Sequence, residues 1–358
     1  MTAKNLSLRL AQGAALLLLA GFAQSGTAGV TEGNILASNK SAGFGGGGAT
    51  DVKPLGDMQI QHMDGFRGAK RVAISVFNVA FPNENVQSAK TKRSDSFAFY
   101  SAIGTAMKRT ITREKSAYQH TTIDGVDPAT RQRIADAAYA DFVAQLTAAG
   151  YEVVSADDLA KLTPEYTTWT TTPNFSDGRF GSYVAPTGRN VYWLMGDQAK
   201  RDTSSQWDKQ ATMFRALDRT QAYQRSPYLA HDGKIGIIAV TLVVDYGTYK
   251  NTGNTKHFGA EMDVSYAPGV TAQAGTFGDS ATLAEYWGPD SGGFPAVAFL
   301  AAPLTSDVTF IKEIGDNSAK DGDSEPIIHA DPAGFEKGAL EVTRAASAKL
   351  IGVMVTAR

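Results

Sequence analysis

The chain has 358 residues, a formal net charge of −2, an apolar fraction of 43% and no cysteine. That length allows two domains or one elaborated α/β domain with a sizeable core, and the near-neutral charge offers no global basic field for nucleic acid. Without cysteine there is no disulfide, no thiolate nucleophile, no cysteine-ligated metal and no lipid-modified cysteine.

At the amino terminus Lys4 and Arg9 flank the start, an apolar run follows over 14–22, and small polar residues occupy 24–29, with cleavage plausible after Ala23 or Ala28. This is the order of a secretory signal, and the apolar run is too short to span a bilayer. The expected organisation is a signal peptide over 1–28, a flexible Gly/Ser-rich leader over 29–67, and a single elaborated α/β domain over 68–358. An exported chain, placed in the periplasm or at the outer-membrane periphery, follows. Gly45 to Gly48 in the leader lack the Lys-Ser/Thr ending that a phosphate-cradling loop needs.

The first strand is predicted over 71–81 (RVAISVFNVAF), apolar on both faces and closed by Pro82-Asn83, hence central in a sheet. Residues 96–109 (SFAFYSAIGTAMKR) read as a helix, with Phe99, Ile103 and Met107 at spacing four. The clearest unit spans 127–162. Asp127 caps a helix with Pro128 at its first position, Ile134, Ala138, Phe142 and Leu146 with Tyr139 and Val143 form its apolar face, and Gly150 ends it. A short strand over 151–154 follows, then a second helix opened by Ser155 with Asp158 three residues on.

Residues 163–201 change character and read as a loop-rich insertion or long hairpin, with a possible strand over 190–195. Its aromatics Tyr166, Trp169, Phe175, Phe180, Tyr183, Tyr192 and Trp193 are the candidate partner-contact surface, against the alternative that they cap an open end of the core. A helix is predicted over 206–225, and then the longest strand signal, 234–249 (KIGIIAVTLVVDYGTY), expected beside the first strand. Asn251-Thr-Gly-Asn254 is turn chemistry before an alternating strand over 257–266, and 296–302 and 307–314 add two more strands. Asp331-Pro332 opens a last helix with Phe335, Ala339, Val342, Ala346 and Leu350 on its buried face, and 351–355 is read as a short strand or tail. The fold class is therefore α/β or α+β: a mixed central sheet flanked by helices, with added antiparallel hairpins.

No catalytic, cofactor or metal set emerges. His62, His120, His231, His257 and His329 lack the paired spacing of a helical zinc site, and 316–325 (DNSAKDGDSE) is out of register with a calcium loop. Gly278-Asp279-Ser280 and Gly322-Asp323-Ser324 do not sit between a buried strand and a helix, as a hydrolase nucleophile would. The basic runs 90–93 and 108–115 read first as solvated faces, and second as contacts for anionic head groups or peptidoglycan.

The strand at 71–81, the helix ending in Gly150, the strand with Tyr151, Val153 and Val154, the acidic Asp157 after it, and the later strand IGIIAVTLVVDYG resemble the periplasmic α/β module of the curli secretion channel family and of Tol-type amino-terminal domains. The resemblance covers about 70–162 and 206–250. It implies an envelope component that works by oligomerising or docking. The family's lipid-anchoring cysteine is absent, and 163–201 has no pair of alternating strands long enough for a membrane-crossing hairpin. The leading expectation is an exported, non-enzymatic scaffold, assembly or secretion-associated protein without cofactor. Its expected partners are its own copies or another envelope protein, with peripheral contact to outer membrane or peptidoglycan and none to nucleic acid. The alternatives are an exported hydrolase whose site is assembled from distant loops, and a periplasmic small-molecule binding protein.

Overall fold

The computed structural model describes residues 30–32, 53–55, 58–62, 70–100, 106–168, 175–177, 181–189, 191, 225–251, 262–270, 282–290, 295–300, 303–318 and 324–356. The predicted signal peptide and most of the predicted helix over 206–225 lie outside them.

Three short strands come first: β1 (Val30–Glu32), β2 (Lys53–Leu55) and β3 (Met58–Gln61). They lie within the stretch expected as a flexible leader, 29–67, most of which is outside the described residues. β1 pairs with β14 (Leu304–Ser306), and β3 adds to the sheet along β13 (Ala296–Leu300), burying Met58 and Ile60. Glycine-rich flanks masked these strands, because three or four residues carry too little period to read.

β4 (Arg71–Pro82) is the central strand as expected, buried at every position after Arg71. It runs parallel to β10 (Gly236–Asn251), from Gly236 opposite Val72 to Val243 opposite Ala80. One residue of β4, Ser75, is extra in this register, so Ile238 faces Ile74 while Ala239 faces Val76. This bulge lets Val72 and Ile74, and then Phe77, Val79 and Phe81, all pack on one face of the sheet. β7 (Glu152–Val154) continues the sheet beside the start of β4, and β9 (Gly181–Val184) with β8 (Phe175–Asp177) beside its end. On the other side β10 pairs with β12 (Leu283–Trp287) and, in its second half, with β11 (Met262–Val270).

Helices cover both faces. α1 (Pro128–Ala148) and α4 (Pro332–Thr356) pack together over one face. Their seam carries a forked ion pair from Arg133 to Glu336, 2.7 Å at its shortest, and a second pair from Arg344 to Asp141 at 3.1 Å. α2 (Ala156–Leu162), a 3₁₀ turn at Pro164–Thr168 and α3 (225–233) cover the other face, over Ala73, Val76, Ile237, Ala239 and Trp287. The chain is thus α/β with a mixed parallel and antiparallel sheet. No helix among the described residues is long and apolar enough to cross a membrane.

Helix starts follow the expected chemistry. Asp127 accepts a hydrogen bond from the Thr130 backbone at 2.6 Å, and Gly150 closes α1 with φ +83°. Ser155 accepts from the Asp158 backbone N–H at 3.1 Å and donates its hydroxyl to that carboxylate at 2.8 Å. Ile134, Ala138, Phe142 and Leu146 are all buried. The last helix runs through 351–355 rather than ending in a strand, because burial of Ile351, Val353 and Met354 against the core outweighs the weak helix preference of β-branched residues.

The main correction falls on 96–109. Its described residues, 96–100 and 106–109, are not helical but belong to β5 (Glu84–Tyr100) and β6 (Ala106–Asp124), which pair antiparallel as a long hairpin. Phe99 and Met107 stand directly opposite each other across the hairpin, so the spacing that suggested one helical face arises between two strands. The β-branched Thr110, Ile111, Thr112, Thr121, Thr122 and Ile123 belong to the strand.

Candidate functional site

β5 and β6 belong to a separate four-stranded sheet, ordered β15-β16-β6-β5, with β15 at Ile311–Ser318 and β16 at Ser324–Ala330. β5 follows β4 directly after Asn83, so the hairpin extends the strand at the centre of the body. Its ladder runs unbroken from Glu84 opposite Thr122 to Tyr100 opposite Ala106. β16 pairs with β6 in parallel only from Gln119 inward. From Ser88 opposite Tyr118 outward, no further described strand lies beside the hairpin, a two-stranded ribbon of about 40 Å. Along the rest of its length β5 pairs only with β6 among the described residues, and β15 only with β16.

The base of this ribbon is clamped. Arg131 on α1 donates to the Asn83 side chain and to the Ser182 hydroxyl, both at 2.7 Å, with its guanidinium 5.9 Å from the centre of the Phe81 ring. Burial pulls the Arg131 pKa below its usual value, and the charge of Asp127 opposes that pull. The Asn83 carbonyl accepts from the Ile123 backbone N–H at 3.1 Å and from the Tyr246 hydroxyl at 3.3 Å. Tyr246, fully buried on β10, also donates to the Thr121 carbonyl at 2.8 Å. On the far side the Nδ1 of His329 on β16 lies 2.8 and 2.9 Å from the two carboxylate oxygens of Asp124 at the end of β6. Gly125 then turns the chain at φ +83°, where a Cβ would stand 2.6 Å from the Ala330 carbonyl oxygen. Together these groups fix where the ribbon leaves the body.

The predicted contact aromatics divide. Tyr166 is 8% exposed and donates its hydroxyl to the Ser75 carbonyl at 2.8 Å, while Tyr183 is 1% exposed within a small cluster with Ala80, Val191 and Val243. Both therefore line the core, as the capping alternative expected. Phe175 lies in β8. Trp169, Phe180, Tyr192 and Trp193 lie outside the described residues, as does all but Val191 of the possible strand over 190–195. Tyr166 belongs to a repair of the β4 bulge. Arg189 donates to the neighbouring Ile74 carbonyl and to the Tyr139 hydroxyl, with its guanidinium 5.0 Å over that ring. The bulge frees backbone carbonyls in the middle of the core, and Arg189 and Tyr166 satisfy them.

No group of three His, Asp or Glu among the described residues is placed to hold a metal ion. Two carboxylates are deeply buried, Asp245 on β10 and Glu285 on β12. Glu285 stands opposite Ala239, six residues from Asp245 along β10, so about 20 Å separates them. That exceeds any proton-transfer distance. Comparison of the chain with protein-family models, with curated proteins and with solved structures finds no match in any of the three.

The four-stranded sheet has β5 at one edge and β15 at the other, and the two differ in charge. β5 carries Lys90, Lys92 and Arg93 with Glu84 and Asp95, a net +1, whereas β15 carries Glu313 and Asp316 with Lys312, a net −1. Ile314 on β15 is 52% exposed, one of few large apolar side chains at the described surface. In the sequence, the basic run was visible. That it belongs to a strand edge was not, since 90–93 was read as a solvated face before the helix predicted over 96–109.

Proposed function

We propose that this chain is an exported, non-enzymatic scaffold of the cell envelope that assembles through its four-stranded sheet, β5 of one copy pairing with β15 of the next. The observation that carries this reading is the length of β5. An edge of 17 residues, without proline or glycine, is a ready template for another strand. Lysines on an edge discourage a strand from pairing with its own copy, so β5 against β5 is disfavoured. The acidic β15 side is the complementary choice, and such a head-to-tail contact generates a ring or a filament. The clamped base supports the reading, because an edge held at a fixed angle loses little freedom on pairing. So does the resemblance of the body to envelope modules that act by oligomerising.

The absence of cysteine makes the test specific. In Thr91→Cys on β5 and Ser318→Cys on β15, the introduced thiol is the chain's sole thiol. Mixing the two variants with a bifunctional thiol reagent is expected to give a covalent dimer, and each variant alone is expected to give none. Light scattering on the untagged chain at micromolar concentration is expected to show a species larger than the monomer. A strict monomer, or cross-linking of Thr91→Cys to itself, overturns the proposal.

A further inference from the structure

The outer end of the β5/β6 ribbon is chemically unlike its stem. Phe97, Ala98, Phe99 and Tyr100 close β5, and Ala106 and Met107 open β6, opposite Tyr100 and Phe99. Immediately behind them the rungs turn basic. Lys108 stands opposite Ala98, Arg109 opposite Phe97, Arg113 opposite Arg93, Lys115 opposite Thr91, and Lys90 and Lys92 occupy the rungs between. Between Ala89 and Ala117 there are seven Lys or Arg against two Asp or Glu, a net charge of +5 in a chain whose formal charge is −2. Apolar residues of this kind usually belong to a core. Here the ladder places them some twelve rungs, about 40 Å, beyond the last described strand that flanks the hairpin. Arg93 and Arg113 share a rung, a placement of like charges that an isolated hairpin does not favour and an anionic surface would relieve.

We infer that the end of the hairpin is a peripheral membrane anchor, with the apolar residues 97–100 and 106–107 entering the interface of an anionic phospholipid surface and the basic rungs behind them holding its head groups. The order of residues along the ribbon fits the depth of such an interface. Two or three rungs of aromatic and aliphatic residues span the 5–10 Å that an interfacial element penetrates, and the Lys and Arg rungs then fall at head-group level. The ribbon does not cross the membrane. A crossing strand needs about ten residues with an unbroken apolar face, and Lys90, Lys92, Arg93, Asp95, Arg109, Arg113 and Lys115 interrupt both alternations. This anchor uses the end of the hairpin rather than its edge, so it stands whether or not copies pair along β5.

The test uses the full chain and vesicles of phosphatidylcholine, alone or with phosphatidylglycerol. The chain is expected to sediment with the phosphatidylglycerol vesicles and to be released by salt. Replacing Arg93, Arg113 and Lys115 together by Gln is expected to weaken partitioning about fivefold per charge removed. Phe97→Ser with Phe99→Ser is expected to weaken it about tenfold or more per ring. An environment-sensitive fluorophore on Ala98→Cys is expected to shift to the blue only with phosphatidylglycerol vesicles, and the same label on Ala89→Cys to shift little. Circular dichroism of every variant is expected to match the parent, since the substitutions lie far from the body. Equal binding to both vesicle types, or unchanged binding by either multiple variant, overturns the inference. So does binding to isolated peptidoglycan through the same residues with none to vesicles.

Discussion

Individual residues at the root of the ribbon carry distinct physical burdens, and Gly125 is the clearest. It combines a left-handed backbone with a Cβ position only 2.6 Å from the Ala330 carbonyl, whereas Gly188, at φ +79°, has open space around it. Gly188→Ala is expected to destabilise by about 1 kcal/mol, the conformational penalty alone. Gly125→Ala is expected to lose about 3 kcal/mol or more, since strand β16 must also shift. Urea denaturation of both variants checks the difference. The two Asp-Pro helix starts make a pH prediction. Hydrogen bonds from the Thr130 and Gly334 backbone amides hold the carboxyls of Asp127 and Asp331 below their ordinary pKa. A carboxyl lowered on folding stabilises the fold fully above its unfolded pKa, near 4, and loses that contribution as pH falls through the folded value. Thermal melts between pH 5 and pH 2 are expected to fall less steeply in Asp127→Asn with Asp331→Asn than in the parent. Asparagine caps a helix without titrating.

At the scale of elements, the ribbon is separable from the body while its base is not. Replacing residues 89–117 by a short turn is expected to leave the cooperative melt of the body within a few degrees of the parent. It is also expected to abolish both edge cross-linking and vesicle binding. Replacing Asn83 by Ala is expected to leave the ribbon formed but less firmly held, because Arg131 then loses one acceptor. How legible these elements were depended on how much their period discriminates. α1 was readable because Ile134, Ala138, Phe142 and Leu146 repeat over a full helix between a cap and a glycine. β4 and β10 were readable because uninterrupted apolar runs of that length need two covered faces. The hairpin was misread because Phe99 and Met107, paired across its two strands, leave a helix-like spacing in the sequence. The candidate surface was hidden for the same reason: strand edges are a property of pairing, which no local pattern encodes. The aromatics of 163–201 drew attention by composition, yet Tyr166 was recruited to a bulge whose existence depends on the register of β4 against β10.

For the whole molecule, α4 is the element that closes the body. Its inner face buries Phe335, Val342, Ala346, Leu350 and Met354, and Arg133 and Asp141 bind it to α1. Ending the chain before Pro332 is expected to abolish the cooperative unfolding transition measured by near-ultraviolet circular dichroism, because one face of the central sheet then lies open. The pairing of β4 with β10 has a further consequence for the order in which the chain takes shape. The Ser75 hydroxyl meets the Ile238 carbonyl across 163 residues of chain. A contact so remote closes late, since the loop between the two strands must be gathered first. At a synthesis rate of about 5–20 residues per second, β4 waits on the order of ten seconds or more for its partner. Throughout that interval β4 has only β7 beside its start and β9 beside its end, and its other edge stays open until β10 arrives.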